Sequence, residues 1–540
     1  MLPLPDLLHL EPRLTLDERQ LGELLGLAFS GREADLALDR TLSQSAEESP
    51  WQERFFARDL FLRELIEDHF RLHFDGKEYA TNRGFLERVL ASPPLRVEEI
   101  RFRQAVLLEL DRDEDLLGKT RRLYAHLYDL MNMFKVPGRQ ARLDLGLFRV
   151  DLFRLAKETI DSMVSDFEGA KSGLERIHHS GLAIQETEEY RLLSALLDHV
   201  DRLSTLNVDL NLGADGNISQ LRVREVRENT ANPFHRSPLR RWFEKLRFFL
   251  FYGYRLQDQA IVSRLVEAIF DRLSPALHSL LQLLGHLEFY LTALGFREEV
   301  EARGLSMCLP SFDPQQPRQL EGLFNPLLLS HDLPPVPGRI QHAENQGVTL
   351  ITGPNSGGKT RFLQALGLSQ VLGQSGLFTP ARRANLSVVH GLFVSLIEHE
   401  AVEHAEGRLG RELERIRAMF DAMEPPSMII LDELCSGTNP SEAIEVFSMV
   451  LQLLESLEPV AYITTHFLDY AHQLQEAPPI GNLGFLQVEM DESQRSTYQF
   501  TAGVAQTSMA KTMAERMGVT FDELSARFAQ RRRRDLRQVS

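Results

Sequence analysis

At 540 residues the chain is longer than one hydrophobic core sustains and predicts two to four domains; 43% hydrophobic and 25% charged residues exclude wholesale disorder. Its 60 Lys+Arg against 77 Asp+Glu give a net charge of −17, split as 42 against 51 up to residue 320 and 18 against 26 after it. Neither part is a basic module that coats nucleic acid through bulk charge, and only eight of the basic residues are lysines.

In chain order, residues 1–50 read as a few short amphipathic helices with no further assignment. The first residues, MLPLPDLLHL, lack a basic region and meet Asp6, so they do not read as a signal peptide. No run approaches the roughly 18 apolar residues of a membrane span. Two cysteines, Cys308 and Cys435, exclude a disulfide framework and a four-thiolate zinc site, and a reducing, cytoplasmic setting is expected.

From 51 to 309 the pattern is helical. Leu107, Leu108, Leu110, Leu116 and Leu117 sit among charges, and Val262, Leu265, Val266, Ile269 and Leu273 recur at helical spacing, as bundle-core residues do. Leu256 to Phe296 reads as one long helix, or as two broken near Ser274-Pro275. One β-hairpin is predicted near 206–226, where LNVDLNL and LRVR alternate around a Gly213–Gly216 turn. Four prolines between 310 and 326 read as a linker. From 327 to 540 short β-branched runs, VTLIT (348–352), SMIIL (427–431) and VAYITT (460–465), alternate with helices, the pattern of a buried parallel sheet. The predicted fold is a mainly α N-terminal region followed by an α/β P-loop domain with C-terminal helices.

Gly353, Pro354, Asn355, Ser356, Gly357, Gly358, Lys359 and Thr360 satisfy G-x-x-x-x-G-K-[ST] between a β-type and a helical run. Glycines let backbone N–H groups converge on phosphate oxygens, Lys359 neutralises β- and γ-phosphates, and the Thr360 hydroxyl suits Mg²⁺. Met428–Leu431 leads into Asp432 and Glu433, 73 residues after Lys359. The first acid suits Mg²⁺ through water, and the second suits a base that orients an attacking water. His466 ends the third β run, where it is placed to meet a γ-phosphate. Asn439, Pro440 and Glu442 form a helix-capping sequence. Arg531–Arg534, Arg382-Arg383, Arg240-Arg241 and Lys119 to Arg122 are small basic clusters open to phosphate contacts, His178-His179 lacks a third ligand at metal spacing, and Cys435 reads as a buried thiol.

GPNSGGKT, DELCSGTNPSEA and TTH resemble the ATPase motifs of the MutS family in order and spacing, as do Gly376–Ala381 (GLFTPA) and the stretch from Gly503 to Gly518. The resemblance covers about 320–520 closely and 80–300 more loosely, and the DELCSGTNPSEA turn is closer to paralogues outside mismatch repair. It implies an ATP-binding-cassette-type ATPase working as a homodimer, each ATP lying between one subunit's P-loop and the other's signature segment. By this match Asn355, Lys359 and Thr360 bind ATP and Mg²⁺, Asp432 supports the metal, Glu433 is the base, and His466 senses the γ-phosphate. The helical region acts as core and lever.

The chain departs from the family where the signature serine is expected, since Ala405 to Glu412 reads AEGRLGRE; either the backbone of Gly407 or Gly410 substitutes or the site is weakened. Leu333–Arg339 offers no aromatic for an adenine ring. No stretch reads as a mismatch-binding, nuclease or DNA-clamp domain, and F-x-E at Phe85, Phe296 and Phe521 is out of context. The reading is a nucleotide-switched ATPase acting on branched or duplex DNA without mismatch recognition. The alternative is a nucleotide-switched protein whose partner is a protein or ribonucleoprotein such as the ribosome.

Overall fold

Hydrophobic period separates the chain into two kinds of structure, one helical and one built on a sheet. The computed structural model describes residues 5–12, 51–135, 145–202, 205–212, 218–227, 280–330, 335–341, 347–396, 407–435, 439–457, 459–493, 495–506 and 518–528. One unit draws on Met1–Glu47, His69–Val89 and Glu98–Phe296, the other on Glu48–Asp68, Leu90–Val97 and Arg297–Ser540.

The first unit packs helices Val97–Arg112, Glu114–Lys135, Leu145–Asp166, Glu175–Gln185 and Glu188–Arg202, with a further helix described from residue 280. Leu107, Leu110 and Leu116 are buried, while Leu108 and Leu117 are half-buried. Gly181 sits where its helix meets Leu145–Asp166, and a Cβ there would lie 2.8 Å from Val164 Cγ2. Strands β1 (Leu72–Phe74) and β2 (Lys77–Tyr79) turn through Asp75 and Gly76, both left-handed, the usual chemistry of a two-residue hairpin. The hairpin expected near 206–226 is β3 (Thr205–Leu212) with β4 (Ile218–Arg227), paired antiparallel. Residues 5–12 are tied down through their carbonyls. Arg176 donates to Asp6 O and His9 O at 2.7 Å, Arg103 to Leu8 O at 2.9 Å, and Tyr290 to Leu7 O at 2.5 Å. The helical pattern at Val262–Leu273 and the break at Ser274-Pro275 lie outside the described residues.

In the second unit, six strands order as β13-β12-β7-β11-β10-β9. They are β7 (Gly347–Thr352), β9 (Gly391–Ser395), β10 (Ser427–Leu431), β11 (Val460–Thr464), β12 (Leu483–Met490) and β13 (Ser496–Ala502). All neighbours are parallel except β12–β13. The three β-branched runs are thus β7, β11 and β10, three of the four inner strands, and every residue of β10 and β11 is buried. Continuous apolar sequence is what burial on both faces demands. Helix Lys359–Gln374 is almost wholly buried and ends at Gly376 (φ 86°). There Leu377 N–H donates to Leu372 O and Gly376 N–H to Gly373 O, the paired bonds of a glycine C-cap.

Part of the proline-rich stretch 310–326, which reads as a linker, is a strand. β5 (Gln319–Leu323) pairs with β6 (Gly338–Gln341) and β8 (Arg383–Asn385). Proline removes donors, so the carbonyls of this stretch need donors from elsewhere. Asn385 supplies them. Its Nδ2 lies 3.1–3.2 Å from the carbonyls of Asp313, Gln316 and Pro317, and its Oδ1 accepts from Asp313 N–H and Ser311 Oγ. Next along, the wholly buried Arg318 donates to Tyr462 Oη at 3.2 Å and Gln370 Oε1 at 2.9 Å, joining the stretch to β11 and the buried helix. No helix among the described residues is long and apolar enough to cross a membrane. Replacing Asn385 with alanine leaves these part-buried carbonyls without that donor and is expected to cost about 1–3 kcal/mol. Urea unfolding and limited proteolysis between 310 and 317 measure it, and the variant should be cut faster.

Candidate functional site

The loop from Gly353 to Gly358 joins β7 to the buried helix. Gly353 (φ 138°) and Gly358 (φ 83°) hold conformations that suit glycine. Space excludes side chains as well. A Cβ on Gly353 or Gly357 would lie 2.6 or 2.8 Å from Val488 Cγ2, on β12. Thr352, just before the loop, accepts Ala505 N–H at 2.9 Å and donates to Leu486 O at 3.3 Å. The β12–β13 hairpin therefore braces the loop, and the rings of Phe362 and Phe500 stack at 4.0 Å.

Lys359 Nζ donates to the carbonyls of Gly353 (2.8 Å) and Pro354 (3.1 Å) and lies 3.5 Å from Asn355 Oδ1. Burial pushes its pKa down, and the charges of Glu433 and Asp432 oppose that. Thr360 Oγ1 donates to Asp432 Oδ2 at 2.5 Å. Thr464, at the end of β11, donates to Asp432 Oδ1 and accepts Glu433 N–H at 2.7 Å. One hydroxyl thus sets both acids. Glu433 (φ 51°) and Cys435 (φ 60°) are left-handed without being glycine, a conformation that costs about 1–3 kcal/mol each and persists only where neighbours impose it. Cys435 N–H donates to Glu412 Oε1 at 2.8 Å. The Cys435 thiol is pushed up to about 12, mainly by burial and then by the Glu412 charge, and is no nucleophile.

Of the residues singled out from sequence, Gly353, Pro354, Asn355, Lys359, Thr360, Asp432 and Glu433 come together at one edge of the sheet. Ser356 is exposed on the loop. His466 is exposed just beyond β11, between the ends of β7 and β10, with its ring 4.1 Å from that of Phe467. Asn439 caps helix Pro440–Leu454, accepting Ser441 N–H at 3.3 Å, and residues 436–438 lie outside the described residues, as do Arg240-Arg241 and Arg531–Arg534. Lys119, Arg122 and Arg382 pair with Asp115, Asp166 and Glu321. Among the described residues no cluster of His, Cys, Asp or Glu could by itself hold a metal.

Sequence reading misses Thr464 as a hub, Glu412, Val488 and, above all, Tyr498. Tyr498 is half exposed, left-handed (φ 58°), and its Cδ1 lies 3.1 Å from the position of a Gly358 Cβ. Its neighbour Gln499 donates to Pro337 O at 2.9 Å, next to the exposed Val336. β13 thus places an exposed aromatic ring beside the glycine loop. No local motif marks it.

A glycine loop on a parallel strand, a buried lysine and a strand-end acid bonded to the loop's threonine define a P-loop nucleotide site. Residues 349–526 match MutS domain V. Three proteins called Endonuclease MutS2 are similar. Those of Leuconostoc citreum (29% identical over 277 residues, 50% of this chain), Thermus thermophilus (27% over 276, 50%) and Streptococcus thermophilus (27% over 270, 49%) align over 33%, 35% and 33% of their own length. The chain thus spans about a third of the curated relatives it matches. Over residues 349–526 the chain is thus similar to MutS domain V, and over about half its length to MutS2 proteins. A Gly353→Ala variant combines left-handed strain with the Val488 clash and is expected to lose nucleotide binding in a titration with a fluorescent ATP analogue.

Proposed function

We propose that this protein binds ATP with Mg²⁺ at the P-loop and hydrolyses it as a nucleotide-switched dimer acting on branched or duplex DNA, without mismatch recognition. The observation that carries the catalytic part is the chain of hydrogen bonds from Thr360 to Asp432 to Thr464 to the Glu433 backbone. The donor set fits the metal, since a hydroxyl and a carboxylate oxygen, both hard ligands, already face each other. Thr360 and Asp432 would hold it, and Mg²⁺ supplies charge neutralisation on phosphate oxygens. Lys359 shifts from its own loop's carbonyls to the β- and γ-phosphates, and the loop N–H groups take the remaining oxygens. Glu433 orients water in line with the γ-phosphate, and His466, at the same sheet edge, meets that phosphate. Tyr498 and Val336 offer an aromatic face and an apolar edge for the base. The Gly407–Gly410 turn that opens helix Gly407–Ala422 approaches the partner's nucleotide, and the helical unit carries the readout.

The name of the similar proteins, Endonuclease MutS2, supports a nucleic-acid target, here read as DNA, without carrying cleavage over. One observation favours a protein or ribonucleoprotein partner instead: the net charge is −17, and two of the small basic clusters face acids.

Steady-state ATP hydrolysis with homoduplex, mismatched, branched and single-stranded DNA separates the two. DNA action predicts a salt-sensitive rise with duplex or branched DNA and no preference for mismatches; a rate indifferent to every DNA overturns it. Glu433→Ala should lower the rate by about 10²-fold or more. Tyr498→Ala should weaken ATP binding by at least about fivefold at unchanged kcat, since base stacking contributes about 1–3 kcal/mol.

A further inference from the structure

The turn that presents Glu433 is held from two sides. Asp432 N–H donates to Ser395 O at 2.8 Å, and Glu433 N–H donates to Thr464 Oγ1. These bonds account for the start of the turn and leave Cys435, left-handed and buried, to be explained. Its N–H donates to Glu412 Oε1, 23 positions earlier, in the second turn of helix Gly407–Ala422. That helix is itself anchored. Arg415, one turn beyond Glu412, donates to Asp59 Oδ2 at 2.8 Å and Val394 O at 2.7 Å, and its guanidinium lies 5.8 Å from the centre of the Phe393 ring. Ile416 and Met419 are buried in the core shared with Leu434 and Cys435. The carboxylate is therefore presented from a fixed platform, and a charged acceptor makes the stronger kind of hydrogen bond.

We propose that Glu412 is a positioning residue for Glu433: by accepting Cys435 N–H it holds the left-handed turn in the arrangement that aims the Glu433 carboxylate. Without that acceptor Cys435 relaxes toward the conformation ordinary residues prefer, the intervening peptides rotate, and Glu433 leaves its line of attack. The role has a consequence for the dimer. Glu412 rides on the helix whose first turn approaches the partner's nucleotide, so the state of one site reaches the base of the other through a single rigid element. This inference rests on the dimeric ATPase reading above.

The experiment uses the full chain with Glu412→Ala, Glu412→Asp and Glu412→Gln, measuring kcat, KM, the Kd of a fluorescent ATP analogue, and Tm. Glu412→Ala, and Glu412→Asp with its shorter reach, are expected to lower kcat by at least about tenfold with little change in Kd, the behaviour of a misplaced reacting group. Glu412→Gln, whose amide oxygen still accepts, should keep most of the activity. Glu412→Asp carries the test if the alanine variant does not fold. Heterodimers separate own-chain from partner action: Glu412→Ala and Glu433→Ala on different subunits should leave about a twentieth of the turnover or less, and on the same subunit about half, because each intact chain keeps one aimed base. Unchanged kcat in Glu412→Ala or Glu412→Asp, Glu412→Gln as impaired as Glu412→Ala at equal Tm, or the reverse heterodimer pattern overturns the positioning role alone. A wild-type protein with no turnover overturns the ATPase reading, and the positioning role with it.

Discussion

The site depends on the hydrogen bonds that run from Thr360 through Asp432 to Thr464 and the Glu433 backbone, because they tie three separate elements at one point. Their possibility is set by strand register. In the parallel pair β10–β11, Leu431 lies opposite Ile463, so the next positions, Asp432 and Thr464, lie side by side at the carboxyl end of the strands. In β11–β7, Thr464 lies opposite Ile351, which brings the start of the glycine loop to the same edge. Ligands collect at the carboxyl ends of parallel strands for this reason: loops of distant sequence emerge there together.

Much of this was legible in sequence. The runs at 348–352, 427–431 and 460–465 are strands because β-branched, apolar residues with no polar alternation fit only a sheet buried on both faces. The glycine loop was legible because its chemistry is local. Membership of a strand, however, does not give register, so Thr464 could not be seen as the group that sets both acids. Tyr498 is further removed. It reaches the loop only because β12 pairs with β7 and β13 returns antiparallel to β12, a sheet order that no spacing reveals.

The proline-rich stretch 310–326 shows the converse. Four prolines argue for a connector, but a segment without donors can still be ordered when one side chain supplies them, and Asn385 lies 59 positions beyond Pro326. Arg318, wholly buried against Tyr462 and Gln370, is equally silent in sequence. In both cases the decisive fact is a long-range polar contact, and hydrophobic periodicity carries no information about those. The acid-bearing turn adds a third case: Glu433 and Cys435 adopt backbone angles that composition argues against, and Thr464 and Glu412 impose them from elsewhere.

On binding, these contacts are exchanged for nucleotide and metal. A crystal structure of the full chain with a non-hydrolysable ATP analogue and Mg²⁺ tests it most directly. Lys359 Nζ is expected to have moved from the carbonyls of Gly353 and Pro354 to phosphate oxygens, the Thr360 hydroxyl to have turned from Asp432 to the metal, and the base to lie against Tyr498. An analogue bound away from the loop, or Lys359 still on its own carbonyls with phosphates present, would contradict it.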